Sequence, residues 1–65
     1  MEKIWLKELR EEKGLSQKQL ANEMGIRQQT ISQYELGVTE PDIATIKKLC
    51  KFFDVSSDYL LGIEE

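Results

Sequence analysis

Three glutamines within six residues, Gln28, Gln29 and Gln33, stand in the stretch 17–36, QKQLANEMGIRQQTISQYEL. A glutamine amide donates and accepts hydrogen bonds through one planar end and carries no charge. Such a cluster suits recognition of a partner that presents a donor beside an acceptor. It does not suit acid–base or nucleophilic work, and the rest of the chain adds little equipment for either. There is no histidine, the commonest general base and metal ligand. Cys50 is the single cysteine, so an intrachain disulfide and a thiolate metal cluster are both out of reach. Neither a Gly-rich phosphate loop nor a nucleophile–base pairing occurs. A binding module is expected, not an enzyme, with no cofactor, no metal and no small-molecule ligand.

The elements that must position those amides are short helices. Apolar residues recur at helical spacing between Gly14, Gly25, Gly37, Pro41 and Gly62, and no stretch alternates in the manner of a strand. A first helix is expected over residues 2–13, with Trp5, Leu6 and Leu9 apolar and Gly14 as its stop. The second begins at Ser16, where Ser16 and Gln19 have the spacing of a capping box, and ends at Met24 before Gly25. A third covers residues 28–36 and stops at Gly37. The fourth follows Pro41, with Asp42 as N-cap, and runs to Phe53 with Ile43, Ile46, Leu49, Cys50 and Phe53 on its apolar face. A fifth, residues 57–61, has Ser56 as cap and Gly62 as stop. The fold class is therefore all-α, five helices in one domain over residues 1–65. At 65 residues the chain buries only about 60% of its unfolded surface, so its core is small.

Residues 17–36 have the arrangement of a helix-turn-helix. Ala21 is small where two steeply crossing helices would touch, Gly25 can turn the chain with positive φ, and Ile26 can plug the turn. On a helical wheel of ~100° per residue, Gln28, Gln29, Ser32, Gln33 and Leu36 share one face, and Thr30, Ile31, Tyr34 and Glu35 share the other. The second face is expected in the core. The first presents three amides and a hydroxyl, and a Gln amide fits the N6/N7 edge of adenine in the DNA major groove.

At these residues the chain resembles the Cro/repressor (XRE-type) helix-turn-helix family, from about Leu6 to Gly62. The stretches LREEKGLSQKQLA, TISQYELG and VSSDYLLG are similar to common members, phage-like repressors of Gram-positive bacteria above all. The third helix is similar to that of a phage repressor carrying a Gln-Gln pair and a further Gln one turn on. The resemblance implies a sequence-specific DNA-binding transcriptional regulator, a repressor of phage or prophage type. It implies that Gln28, Gln29 and Gln33 read bases and that Gln17 holds a phosphate; Arg27, Arg10 and Thr30 are expected to hold further phosphates. Arg10 and Glu35 match a family ion pair joining the first and third helices. A near-palindromic double-stranded DNA operator, bound by a weak homodimer through Phe52, Val55, Tyr59, Leu61 and Ile63, completes the expectation.

Two positions depart from that pattern. Arg27 stands where relatives often place a Ser or Thr cap, and Arg caps poorly. The loop at residues 37–41 carries Val38 and Glu40, where relatives often place phosphate-binding bases. Net charge is −3, from nine bases and twelve acids, but residues 1–53 hold nine bases against eight acids. The alternative is a protein-interaction module of the same fold, an antitoxin or adaptor, which the acidic balance and unbasic loop favour. Lys47, Lys48 and Lys51 form a basic run that reads most simply as a solvated face. Cys50 is expected to be a buried, inert thiol. The longest apolar runs, residues 4–6 and 59–61, are far below a membrane span. Met1 leads into charged Glu2 and Lys3 and not into an apolar signal, so a cytoplasmic location is expected.

Overall fold

The computed structural model describes residues 4–62. Five helices follow in order: α1 Leu6–Glu12, α2 Gln17–Met24, α3 Gln28–Leu36, α4 Ile43–Phe53 and α5 Ser57–Leu60. Among the described residues there is no strand. The core gathers residues from every helix. Leu6 from α1, Leu20 from α2, Ile31 from α3, Leu49 from α4 and Leu60 from α5 are all fully buried. At about 1.5–3 kcal/mol for each large aliphatic side chain removed from water, these five contribute strongly to so small a fold. Ile4, Leu9, Ala21, Met24, Tyr34 and Phe53 close the cluster.

Side-chain caps start three of the helices. Ser16 and Gln19 form the expected capping box, with the Ser16 hydroxyl accepting from Gln19 N at 3.0 Å and Gln19 Oε1 accepting from Ser16 N at 2.8 Å. Asp42 accepts from Thr45 N at 2.8 Å, and Ser56 accepts from Tyr59 N at 3.1 Å. Hydrogen bonds from Thr45, its side chain foremost and its backbone second, hold the Asp42 carboxyl below the usual carboxylate range. This cap therefore supports the fold at neutral pH and is lost as pH falls through that lowered value. Arg27 opens α3 with extended backbone and no side-chain cap, as its residue type predicts.

At their C-termini the helices close by reversing the chain. Gly25 has φ +70°, Gly25 N donates to Asn22 O, and Ile26 N donates to Ala21 O at 3.0 Å. That pair of bonds satisfies two orphan carbonyls of α2 and aims the chain into α3. α4 ends in the same way without glycine: Asp54 takes φ +56°, and Val55 N donates to Cys50 O at 3.0 Å. No Gly, Pro or Asn marked that stop in the sequence.

Three expectations need correction. The first helix was expected over residues 2–13 but begins at Leu6; residues 2 and 3 lie outside the described residues. Trp5 N donates to Leu60 O at 2.9 Å and Ile4 is buried, so this segment is held by α5 and does not extend α1. Gly62 lies so close to the Trp5 ring that an added Cβ would meet indole Nε1 at 2.9 Å. Secondly, Ile43 at the start of α4 is 73% exposed and not part of its buried apolar face, while Pro41 just before the helix is buried. Thirdly, Leu61 caps α5 and does not extend it.

The left-handed positions Gly25 and Asp54 have opposite consequences. Nothing lies within 4 Å of a Cβ added at Gly25, so Gly25→Ala is opposed by backbone strain alone, about 1–2 kcal/mol. That lowers Tm by roughly 4–8 °C per kcal/mol in a domain of this size. Asp54→Gly relieves the same kind of strain, and the greater freedom of glycine in the unfolded chain offsets part of the gain. A rise in Tm of a few degrees is expected. Thermal melts followed by circular dichroism check both, and a Tm unchanged by either substitution contradicts this account of the helix ends.

Candidate nucleic-acid interface

The interface is built from the inside of α3 outward. Ile31, Tyr34 and Glu35 are buried on its inner face. Ala21 of α2 is also buried, and its small side chain lets α2 and α3 cross closely at the turn. Half-buried Ile26 packs against the core beneath that turn. The outer face holds Gln28, Gln29 and Leu36 exposed, with Ser32 and Gln33 half-buried. Thr30 is half-buried on the flank. The wheel thus separates a core face from a wet amide face as expected.

Glu35 would be an intolerable buried charge without partners, and it has two. Arg10 Nε donates to Glu35 Oε2 at 2.7 Å and Nη2 to Oε1 at 3.2 Å, a two-pronged pair joining α1 to α3. Gln17 Nε2 donates to Glu35 Oε1 at 3.1 Å and brings in the first turn of α2. Arg10 Nη1 donates to Leu15 O at 2.7 Å, between α1 and α2. The hydrogen bond to Glu35, reinforced by its charge, raises the guanidinium pKa further despite burial. One charge pair therefore holds the first three helices at fixed angles. The expected Arg10–Glu35 pair is present; the link from Gln17 had no signal in the sequence, since a Gln at a helix start reads equally well as a solvated residue.

A second tie holds the turn from the other side. Lys48 Nζ donates to Met24 O, the last carbonyl of α2, at 3.1 Å. A cation at a helix C-terminus also complements the helix dipole. Lys48 is thus not merely part of a solvated face with Lys47 and Lys51, and helical spacing alone does not separate it from them. Arg27 is exposed beside the start of α3. The loop at residues 37–42 presents Val38, Thr39, Glu40 and Asp42 to solvent and no base.

On the far side, Phe52, Val55 and Leu61 are half-buried against the core, and Tyr59 is 46% exposed. Phe52 meets Phe53 edge to face at 5.0 Å and carries Lys13 Nζ 5.2 Å above its ring. Ile63 lies outside the described residues. Cys50 is half-buried, and burial pushes its thiol pKa up, so little nucleophilic thiolate forms.

A family model described as helix-turn-helix matches residues 6–60, which span α1 to α5. This chain belongs to the XRE-type helix-turn-helix family. As a member of that family it is a DNA-binding domain of the transcriptional-regulator class. Among relatives of this helix-turn-helix domain is the SPbeta prophage-derived HTH-type transcriptional regulator YonR of Bacillus subtilis, 45% identical over 56 residues, 86% of this chain and 52% of the relative. The HTH-type transcriptional activator BcrR of Enterococcus faecalis is 40% identical over 92% of this chain and 29% of its own length. The cryptic phage CTXphi transcriptional repressor RstR of Vibrio cholerae is 38% identical over 92% of this chain and 54% of its own length. The chain thus spans about half the length of YonR and RstR, and under a third of BcrR. No helix among the described residues is long and apolar enough to cross a membrane.

Arg10 and Glu35 should behave as one unit. Arg10→Met or Glu35→Leu alone leaves a buried charge unpaired and should cost about 3–5 kcal/mol, enough to unfold a marginal domain. Changing both should cost less than either single change. A double-mutant cycle in urea is the check, and additive losses would refute coupling.

Proposed function

We propose that this domain reads a specific DNA site with the outer face of α3 and acts as a repressor of phage or prophage type. The carrying observation is the division of α3. Its inner face is locked by Ile31, Tyr34 and the Glu35 ion pair, and its outer face offers Gln28, Gln29 and Gln33. Locked backbone lets these amides make directional contacts without first ordering the helix. In this reading Gln28 and Gln29, at the N-terminal end that reaches base edges in such motifs, and Gln33 one turn on are the base readers. Each can pair with adenine N6 and N7.

Phosphate contacts fall to Gln17, Arg27, Thr30 and Arg10 with unequal support. Arg27 is exposed beside the readers. Gln17 keeps one amide hydrogen beyond its bond to Glu35. Arg10 already serves Glu35 and Leu15 with three of its nitrogens, so its part is chiefly to hold α3 in place.

A homodimer belongs to the same proposal. The domain measures 29 × 23 × 20 Å, less than the ~34–36 Å between successive major-groove half-sites, so one copy covers one half-site. Phe52, Val55, Tyr59 and Leu61, with Ile63, would form the two-fold contact, and a near-palindromic operator would mirror it. Asp54 and Asp58 beside that surface, with Glu64 and Glu65, repel a second copy, which favours a weak dimer that tightens on DNA.

RstR, named a phage repressor, and YonR, named a prophage-derived regulator, support this reading, and BcrR, named an activator, shows that relatives include an activator. A reporter with the selected site placed across a promoter decides the sign; a rise in expression would overturn repression. A second reading, a protein-interaction module of antitoxin or adaptor type, is favoured by the loop at residues 37–42, which holds no base, and by the net charge of −3. Such a module would show no salt-dependent affinity for random duplex DNA.

Sites selected from a random DNA library test the base readers. Gln28→Ala, Gln29→Ala and Gln33→Ala should each cost about 1–3 kcal/mol on the selected site and leave random-duplex binding almost unchanged. Three variants that bind the site as the parent does would end the base-reading proposal. Inserting about five base pairs between half-sites turns one to the opposite face of the duplex, and a symmetric dimer should then lose affinity and steepness together. Binding that survives the insertion would show that the copies do not act as a pair.

A further inference from the structure

The outer face of α3 ends in a side chain that cannot form hydrogen bonds. Leu36 is 72% exposed. At 3.6 residues per turn, positions 29, 32, 33 and 36 are spaced i, i+3, i+4 and i+7 and form one ridge. Leu36 therefore continues the row made by Gln29, Ser32 and Gln33. Its neighbours Tyr34 and Glu35 point to the core, so Leu36 is outward because of its place on the helix and not for want of a core. Just beyond the Gly37 cap, Val38 is 70% exposed, and its N–H donates to Gln33 O at 3.0 Å, which holds it against the last turn. Single exposed hydrophobic residues are ordinary on protein surfaces. What distinguishes Leu36 is the ridge it shares.

We infer that Leu36 is a specificity-determining residue that meets the C5-methyl of a thymine in the major groove. This rests on the base-reading role of α3 proposed above. The methyl is the one apolar feature that the major groove displays on a normal base pair, and apolar side chains recognise it. A rise of 1.5 Å per residue places Leu36 about 10 Å along α3 from Gln29, on the order of two to three base pairs away. The loop after α3 offers no Lys or Arg between residues 37 and 42, so no cation draws this end of the helix to a phosphate instead. The two ends of one face would then read different features: amides take polar base edges near the N-terminus, and leucine takes a methyl near the C-terminus.

The test uses the DNA site selected by the parent protein. Each thymine is replaced singly by deoxyuridine, which removes the methyl and leaves the hydrogen-bonding edge intact. Binding is measured for the parent and for Leu36→Ala. One replacement, a few base pairs from those sensitive to Gln29→Ala, should weaken the parent about fourfold, as for one methyl no longer buried. The same replacement should leave Leu36→Ala unaffected, while all other replacements affect both proteins alike. Thermal melts of the two should coincide, because the side chain is exposed. If the parent selects a site but every replacement affects the two proteins equally, the inference fails and the glutamine reading stands. If Leu36→Ala weakens selected and random DNA alike, Leu36 meets the backbone and the inference also fails. If the parent selects no sequence at all, both readings fall together.

Discussion

A buried ion pair fixes the geometry on which the surface of this domain depends. Arg10 and Glu35 lie 25 residues apart in sequence and meet at 2.7 Å, with Gln17 and the Leu15 carbonyl satisfying further donors and acceptors around them. Apolar packing alone tolerates small rotations of one helix against another, because dispersion contacts are weak and non-directional. A two-pronged guanidinium–carboxylate contact is directional and tolerates little rotation. It therefore sets the roll of α3 about its own axis. That roll decides which residues face solvent.

The same economy governs the rest of the fold. A chain with so few large buried side chains has little surplus stability. Short helices are marginal by themselves, so their ends carry much of the structural specification. Ser16, Asp42 and Ser56 start three helices, and left-handed residues at Gly25, Gly37 and Asp54 stop three. The Lys48 bond to the end of α2 belongs with these contacts, since it fastens α4 to the turn between α2 and α3.

Charge on this molecule is used inward as much as outward. Arg10 and Lys48 serve the fold through Glu35 and the Met24 carbonyl. Arg27 remains as the exposed cation beside the start of α3, and the loop beyond α3 has none. A face with so little positive charge gains little from the phosphate backbone.

Local features carried most of the architecture in the sequence. Helix limits at Ser16, Gly25, Gly37 and Asp42 were legible because caps and left-handed turns depend on residues within one helical turn. The two faces of α3 were legible because its periodicity is a property of the helix itself. Tertiary structure decided what local chemistry leaves open. Ile43 has a core-like residue type and position, yet it is exposed, while Pro41 two residues earlier is buried. Residues 4 and 5 leave the helical path because Leu60 offers its carbonyl to Trp5. Asp54 reverses the chain without a glycine because Val55 is drawn back to the core. Lys48 is distinguished from Lys47 and Lys51 only by the nearness of the Met24 carbonyl, 24 residues earlier in the chain. The Trp5–Leu60 and Lys48–Met24 contacts join residues distant in sequence, and helical periodicity holds no record of such a meeting until the helices pack.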